Sequence, residues 1–387
     1  MRRLVDTDRV VALTSDLVAI DTRNPPGNEA AVAGVCREAF TKWDAKIREV
    51  EPKAGRRSLV VEVPHPDGPA KRPTLIVNGH LDVVPVVAEA WSTDPFKPTR
   101  KGDRLYGRGT ADMKGGVAAA ICALDVLAEV GKKPACDLVF HLVADEEVGG
   151  KLGTNVLLKE GLIKGDACLV PEPTSLELCV AERGLLQGNL TVFGRPGHGS
   201  RPRDGVSAIE HAATIVLALH AANFGDKDHP LLGRPTANIG TIAGGTSFNT
   251  VAPTCEIGID RRLLPGITET QAVDQLLALI DKADLHDLRY EYEVAAFGEG
   301  SEMAANDPFA VLVGESMKKA TGRTPSTIGM TFTTDARFVR NQAGIPAVVC
   351  GPGNVECAHV TDEWVSIEAL VDATAAYAEL FAAFGKD

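Results

Sequence analysis

Five short stretches of this chain combine histidines or carboxylates with apolar runs. They are TLIVNGHLD at 74–82, YGRGTADMKGG at 106–116, LVADEEVGG at 142–150, LVPEPT at 169–174 and CAHVTDE at 357–363. Two histidines, His80 and His359, and the carboxylates Asp112, Glu146, Glu147 and Glu172 are the donor types of a first-row metal site. With so few donors, one carboxylate held between two ions satisfies both more readily than two separate closed sites. Glu146 and Glu147 are neighbours, and adjacent side chains of an extended chain point to opposite sides. One of them can ligate while the other reaches a water as general base. Asp82, two residues after His80, is placed to hydrogen-bond the ring nitrogen that faces away from a metal.

Each feature alone has an ordinary explanation. A single buried histidine is usually a hydrogen-bonded structural residue, and a single aspartate before a helix is usually a cap. The glycines at 107, 109, 115 and 116 fall outside the strand-turn-helix frame of a dinucleotide fingerprint. Joint occurrence at the ends of successive buried strands is what the ordinary explanations do not account for.

The elements that must position these residues follow from periodicity. Strand-like segments at 58–63, 74–78, 137–143 and 167–170 alternate with helical ones at 10–20, 29–43, 113–130 and 153–160. That order predicts an α/β domain with a mostly parallel mixed sheet flanked by helices. The strands' C-terminal ends then share one rim, where ligands bind. From 185 the pattern changes to strand, helix, strand, strand, helix, strand (185–193, 206–222, 237–242, 254–262, 269–282, 288–295). This is the split βαβ, ferredoxin-like order of a compact α+β unit, and about 110 residues suit one inserted domain. Segments at 307–321, 347–350 and 366–384 return to the first pattern. The expected division is a discontinuous domain of 1–182 and 295–387 with 183–294 inserted.

Composition narrows the function. The chain has 387 residues with 40 basic and 52 acidic side chains, a net charge of −12. Such an acidic chain without a Lys/Arg-rich stretch is a poor partner for nucleic acid. No apolar run approaches the length of a membrane helix, and Asp6 and Asp8 interrupt any signal-like start. The eight cysteines form no Cys-x-x-Cys pair. They read as buried free thiols of a cytoplasmic protein.

Taken together, the five stretches resemble the metal-dependent hydrolases that include acetylornithine deacetylase, succinyl-diaminopimelate desuccinylase, aminoacylase and glutamate carboxypeptidases. The resemblance runs along nearly the whole chain in the family's order. It implies that His80, Asp112 and Glu172 hold one divalent ion, and that Asp112, Glu147 and His359 hold the second, with Asp112 bridging. It further implies Glu146 as general base and Asp82 as the partner of His80. The ions would be zinc, with cobalt or manganese as alternatives, because His/carboxylate sites accept all three. The inserted domain would be a lid and dimerisation domain, making the protein a homodimer.

The same resemblance covers the inserted region. In GRPGHGS at 194–200, His198 would reach the other subunit's active site and stabilise an oxyanion. In GGTSFN at 244–249, Asn249 would contact the substrate near the scissile group. Arg262 would pair with the substrate's α-carboxylate, since guanidinium matches carboxylate in bidentate fashion; an ion pair within its own domain is the competing reading. Arg183 could meet an acyl-chain carboxylate or equally pair near Glu182 or with solvent, and Thr333, in TFTTDARF at 331–338, would line the pocket. The substrate expected is a small N-acyl amino acid, acetylornithine first and succinyl-diaminopimelate second, with a dipeptide third. A metal-stabilised binding protein without activity is the reading from another class, and the intact base and ligand positions argue against it.

Overall fold

Residues 1–68, 71–224 and 228–386 are described by a computed structural model. In chain order the first part contains α1 (Thr7–Val18), α2 (Glu29–Phe40), β1 (Lys46–Lys53), β2 (Arg56–Val63), β3 (Thr74–His80), β4 (Thr99–Lys101), β5 (Arg104–Tyr106), α3 (Lys114–Glu129), β6 (Asp137–Val143), α4 (Thr154–Lys159) and β7 (Ala167–Pro173). Strand β8 (Leu178–Glu182) leads into β9 (Gly184–Phe193), α5 (Ala208–His220), β10 (Thr236–Gly244), β11 (Thr254–Leu263), α6 (Glu269–Asp281), β12 (Arg289–Gly298) and β13 (Ser301–Glu302). The chain finishes with α7 (Pro308–Thr321), β14 (Thr327–Met330), β15 (Ala347–Gly351), β16 (Trp364–Ser366) and α8 (Ile367–Ala383). It divides into two units. One is Met1–Val180, Met303–Ile328 and Thr334–Asp387; the other is Ala181–Glu302 and Gly329–Thr333.

The first unit is built on a sheet of order β1-β2-β6-β3-β7-β15-β8. Its central strands β6, β3, β7 and β15 are mutually parallel. Parallel strands are covered on both faces, which is why β7 and β15 are buried at every residue and are apolar but for Glu172 near the end of β7. The flanking pairs β1/β2 and β2/β6 are antiparallel. Because β3, β6 and β7 run the same way, the residues at their C-terminal ends (His80 in β3, Glu172 in β7) and the 145–147 turn just after β6 gather at one rim. Helix α3 packs beside β3 and β7. Gly116 makes this approach possible, since a Cβ there would lie 2.0 Å from the Pro171 carbonyl oxygen. A separate small sheet, β4-β5-β16, stands next to the start of α3.

The second unit has strand order β10-β11-β9-β12 with every pair antiparallel, and α5 and α6 complete it. This is the split βαβ arrangement expected from the sequence. Leu190, Ile215, Ile257, Ile259, Leu276 and Ile280 form its core. Helix α6 starts with a capping box, Thr268 and Gln271 each satisfying the other's backbone N–H. The last strand runs further than periodicity suggests, because β12 pairs with β9 as far as Gly298 opposite Leu185. That pairing places residues 295–302 in the second unit rather than the first.

Strands β1, β4, β5, β8, β13, β14 and β16 were not expected from periodicity. Strand β1 carries charges along most of its length and buries only Val50, as an exposed sheet edge does. Strands β4, β5 and β16 are three residues each, too short for any periodicity. Among the described residues no helix is long and apolar enough to cross a membrane. Seven cysteines are buried free thiols, and Cys357 is partly buried.

His141 on β6 is fully buried, and neither ring nitrogen has a hydrogen-bond partner among the described residues. Burial pushes its pKa down to about 4. The unfolded chain therefore binds a proton that the folded chain refuses between about pH 6.5 and pH 4. Stability present above pH 6.5 is lost as the pH falls through that window, by about 3 kcal/mol. In His141→Leu this loss should vanish, so urea midpoints of variant and wild type diverge below pH 6.5. Parallel midpoints down to pH 4 would refute the assignment.

Candidate active site

His80, the last residue of β3, is almost wholly buried. Its Nδ1 lies 3.0 Å from the carbonyl oxygen of Asp82. A carbonyl only accepts, so Nδ1 carries a proton and donates it. Nε2 faces Asp112 Oδ1 at 2.9 Å and Glu172 Oε1 at 3.5 Å. Burial alone would lower the pKa of this imidazole, but Glu172, Asp112 and Asp82 raise it well above its ordinary value. The proton on Nε2 and a divalent cation are alternatives at this position.

Across Asp112 lies a second group. His359 Nε2 is 3.2 Å from Asp112 Oδ2 and 3.0 Å from Glu147 Oε2. Asp112 thus turns one oxygen toward each histidine. The donor atoms of His80, Asp112 and Glu172 lie within 4.8 Å of one another, as do those of Asp112, Glu147 and His359. His359 has φ 61°, a left-handed backbone that is uncommon outside glycine and clusters at functional sites. Burial raises the Glu147 and Glu172 carboxyls, and the Asp112 charge raises both further. Hydrogen bonds from His359 and His80 overcome the burial of Asp112 and keep it ionised. Buried Glu147 Oε1 has no hydrogen-bond partner among the described residues. Imidazole and carboxylate donors, a carboxylate shared by two histidines and an unsatisfied buried oxygen fit two divalent cations.

The 145–150 turn brings the tandem glutamates to this rim. Asp145 takes φ 72° and opens a turn in which its carbonyl accepts from Gly150 N. Its carboxylate is fixed by Arg56 at 2.7 Å and Leu152 N at 2.9 Å, while Arg56 also grips Glu29 through two 2.7 Å bonds. Glu147 meets His359, whereas Glu146 makes no ion pair with either histidine among the described residues. Burial lifts the Glu146 carboxyl well above the usual carboxylate range; Glu172, Asp335 and Glu147 add to this while His80 opposes it.

Asp82 meets the His80 imidazole as its spacing suggested, through its carbonyl and an ion pair of its carboxylate, and takes a second role besides. Its carboxylate is 3.6 Å from His80 Nδ1, farther than its own carbonyl. The two oxygens also accept the backbone N–H groups of Glu146 and Glu147, each at 3.2 Å, and Asn24 Nδ2 at 2.9 Å. One buried carboxylate therefore orients both glutamates at once.

The remaining expected residues all lie in the second unit. His198 is exposed, its Nδ1 facing Ser200 N and Oγ at 3.1 and 2.8 Å. Asn249 Oδ1 accepts from Ser247 Oγ at 2.8 Å. Arg262 pairs with Asp260 through Nε at 2.8 Å, so the ion pair within its own unit is formed. The Arg183 guanidinium donates to the Leu232 carbonyl, and burial and the Arg262 charge lower its pKa. Thr333 Oγ1 donates to the Glu299 carbonyl at 3.3 Å.

Sequence reasoning missed several residues of the site's support. Asn24, Glu29 and Arg56 are described above. Asp335, almost wholly buried, accepts from Thr154 Oγ1 at 2.6 Å. Glu363 is the most engaged of them. Its Oε1 accepts from the amides of Gly109, Ala111 and Asp112 at 3.0, 2.8 and 3.1 Å, and Oε2 pairs with Arg108 at 2.5 Å.

Residues 76–383 match peptidase family M20/M25/M40. An acetylornithine deacetylase of Proteus mirabilis is 29% identical over 378 residues, covering 94% of this chain and 92% of that protein. One of Pasteurella multocida is 33% identical over 317 residues, covering 78% and 77%. Among solved structures, aminopeptidase PepT of Bacillus cereus superposes with a TM-score of 0.83 at 23% identity, covering 99% of this chain and 100% of that one. The resemblance read from the five stretches is thus borne out: the chain belongs to peptidase family M20/M25/M40 and is a metal-dependent hydrolase.

Proposed function

We propose that this protein hydrolyses the amide of an N-acyl amino acid, with N-acetylornithine as the leading substrate. The observation that carries the reading is Asp112, which turns one oxygen to His80 and the other to His359. The acetylornithine deacetylases among its relatives support the substrate class. Two divalent cations, zinc or alternatively cobalt or manganese, held by His80, Asp112 and Glu172 and by Asp112, Glu147 and His359, would lower the pKa of a water and polarise the amide carbonyl. Glu146 takes the proton of the attacking water and later delivers it to the leaving amine. Asp82 keeps Glu146 and Glu147 in place through their backbone amides. His198 would donate to the developing oxyanion from a partner copy, and Asn249 and Thr333 would contact substrate.

The second unit would serve as lid and dimerisation domain of a homodimer. Its edge strand β10 is largely exposed, and Ile242, Phe248 and Leu217 present apolar surface to solvent. The eight free thiols suit a cytoplasmic protein. A second substrate reading, N-succinyl-diaminopimelate, is favoured by one observation. Burial and the Arg262 charge both lower the Arg183 pKa, and a second substrate carboxylate would supply the counter-charge.

The test is amine release from both compounds and from a dipeptide, before and after treatment with a chelator. Release from N-acetylornithine should be fastest, be lost on chelation and return with added zinc or cobalt. No chelator-sensitive release from any of the three would overturn the reading.

A further inference from the structure

We infer that Glu363 is a positioning residue that sets the separation of Asp112 and His359, and with it the affinity for the second cation. The inference rests on the reading of those two residues as cation ligands.

The register of the small sheet makes the argument. Strand β16 pairs with β5 with Trp364 opposite Tyr106, Val365 opposite Leu105 and Ser366 opposite Arg104. Gly107 N continues that ladder by donating to the Glu363 carbonyl at 3.0 Å. Glu363 therefore stands where the Asp112 loop leaves β5, and its side chain enters that loop. Gly107 and Gly109 have φ 156° and 91°, and these turns bring the amides of Gly109, Ala111 and Asp112 onto a single oxygen. The carboxylate is fully buried, and its other oxygen is matched by Arg108, whose guanidinium also reaches the Val360 carbonyl at 3.2 Å.

That last contact closes a circuit. Val360 follows His359, so Arg108 and Glu363 together hold both the loop that ends in Asp112 and the loop that carries His359. The base beneath them is firm. Ser366 Oγ and Ile367 N both bond to Asp103, in the turn between β4 and β5, and the Arg104 guanidinium lies 3.9 Å from the Trp364 ring centre. Bonds from amides to an ionised acceptor are roughly twice as strong as neutral ones. The charge of Glu363, not only its shape, is what holds the Asp112 loop at its distance from His359.

Removing the charge while keeping the shape tests this. Metal-stripped wild type, Glu363→Gln and Arg108→Met would be titrated with zinc in a calorimeter, and cobalt-loaded protein would be followed by visible absorption. The wild type should bind two ions. Glu363→Gln should keep its circular dichroism yet bind the second ion about 10–100-fold more weakly, the usual cost of losing support behind a ligand. Its cobalt spectrum should change, which a merely structural role would not produce. Arg108→Met should weaken the second ion in the same direction and supplies the test if Glu363→Gln fails to fold. Folded variants binding both ions with wild-type affinity and spectrum would overturn the inference. A wild type that binds no ions would instead overturn the reading of the site on which it rests.

Discussion

Glu146→Gln should bind both cations and substrate as the wild type does, yet turn over about 10²–10⁴-fold more slowly, the usual contribution of a positioned proton-transfer group. The tandem glutamates make this a sharp test because their backbones are held alike and their side chains are not. Both amides donate to Asp82 at 3.2 Å, so the amide substitution leaves the turn's anchoring untouched. Glu147 lies 3.0 Å from His359 through Oε2, whereas Glu146 makes no ion pair with either histidine among the described residues. Loss at Glu146 should therefore appear in kcat with little change in KM, and the metal content of the variant should stay at two ions. Glu147→Gln, by contrast, should release the second ion. Near-normal kcat in Glu146→Gln, or an equal loss of metal from both variants, would remove Glu146 from the role of base.

How much of this could be read before the fold was known follows from what each residue's role depends on. His80, Glu146, Glu147 and Glu172 stand at or just after the C-terminal ends of buried strands, and a run such as TLIV declares its strand through continuous apolar character. Parallel strands then bring those residues together with no further information. Glu363 was visible only as the end of the His359 segment. Its function depends on amides some 251 residues earlier, and the three-residue strands that bring them together have no periodicity of their own. Arg56 and Glu29 are similar: charged residues near chain segments rich in exposed charge, whose full burial against Asp145 appears only once β2 and α2 are packed. Asp82 shows a subtler limit. Its spacing from His80 pointed to the imidazole, which its carboxylate meets at 3.6 Å behind its own carbonyl, but gave no sign that the same carboxylate also anchors the glutamate turn. Arg262 illustrates an ordinary explanation realised, since Asp260 lies two residues before it on the same face of β11.

Asp112→Ala should bind neither cation with wild-type affinity, and chelator-sensitive hydrolysis should fall by about 10⁴-fold or more, since metal-assisted and general-base contributions are lost together. Either histidine, removed alone, takes away one ligand of one group. Asp112 belongs to both, with Oδ1 at 2.9 Å from His80 Nε2 and Oδ2 at 3.2 Å from His359 Nε2. It is also the member of the cluster that His359 and His80 hold in the ionised form, while Glu147 and Glu172 are pushed toward protonation by burial and by its charge. Two divalent cations placed close together repel, and a carboxylate between them offsets that repulsion for both at once. Removing it leaves His80 with Glu172 on one side and His359 with Glu147 on the other, two donors each and too few for a stable site. The comparison that decides the matter is His359→Ala, which should lose the second ion and retain the first at His80, Asp112 and Glu172. Zinc content after dialysis should then read two for the wild type, one for His359→Ala and close to none for Asp112→Ala. One ion retained by Asp112→Ala at wild-type affinity would show that the two groups are independent, and the bridging role would have to be given up.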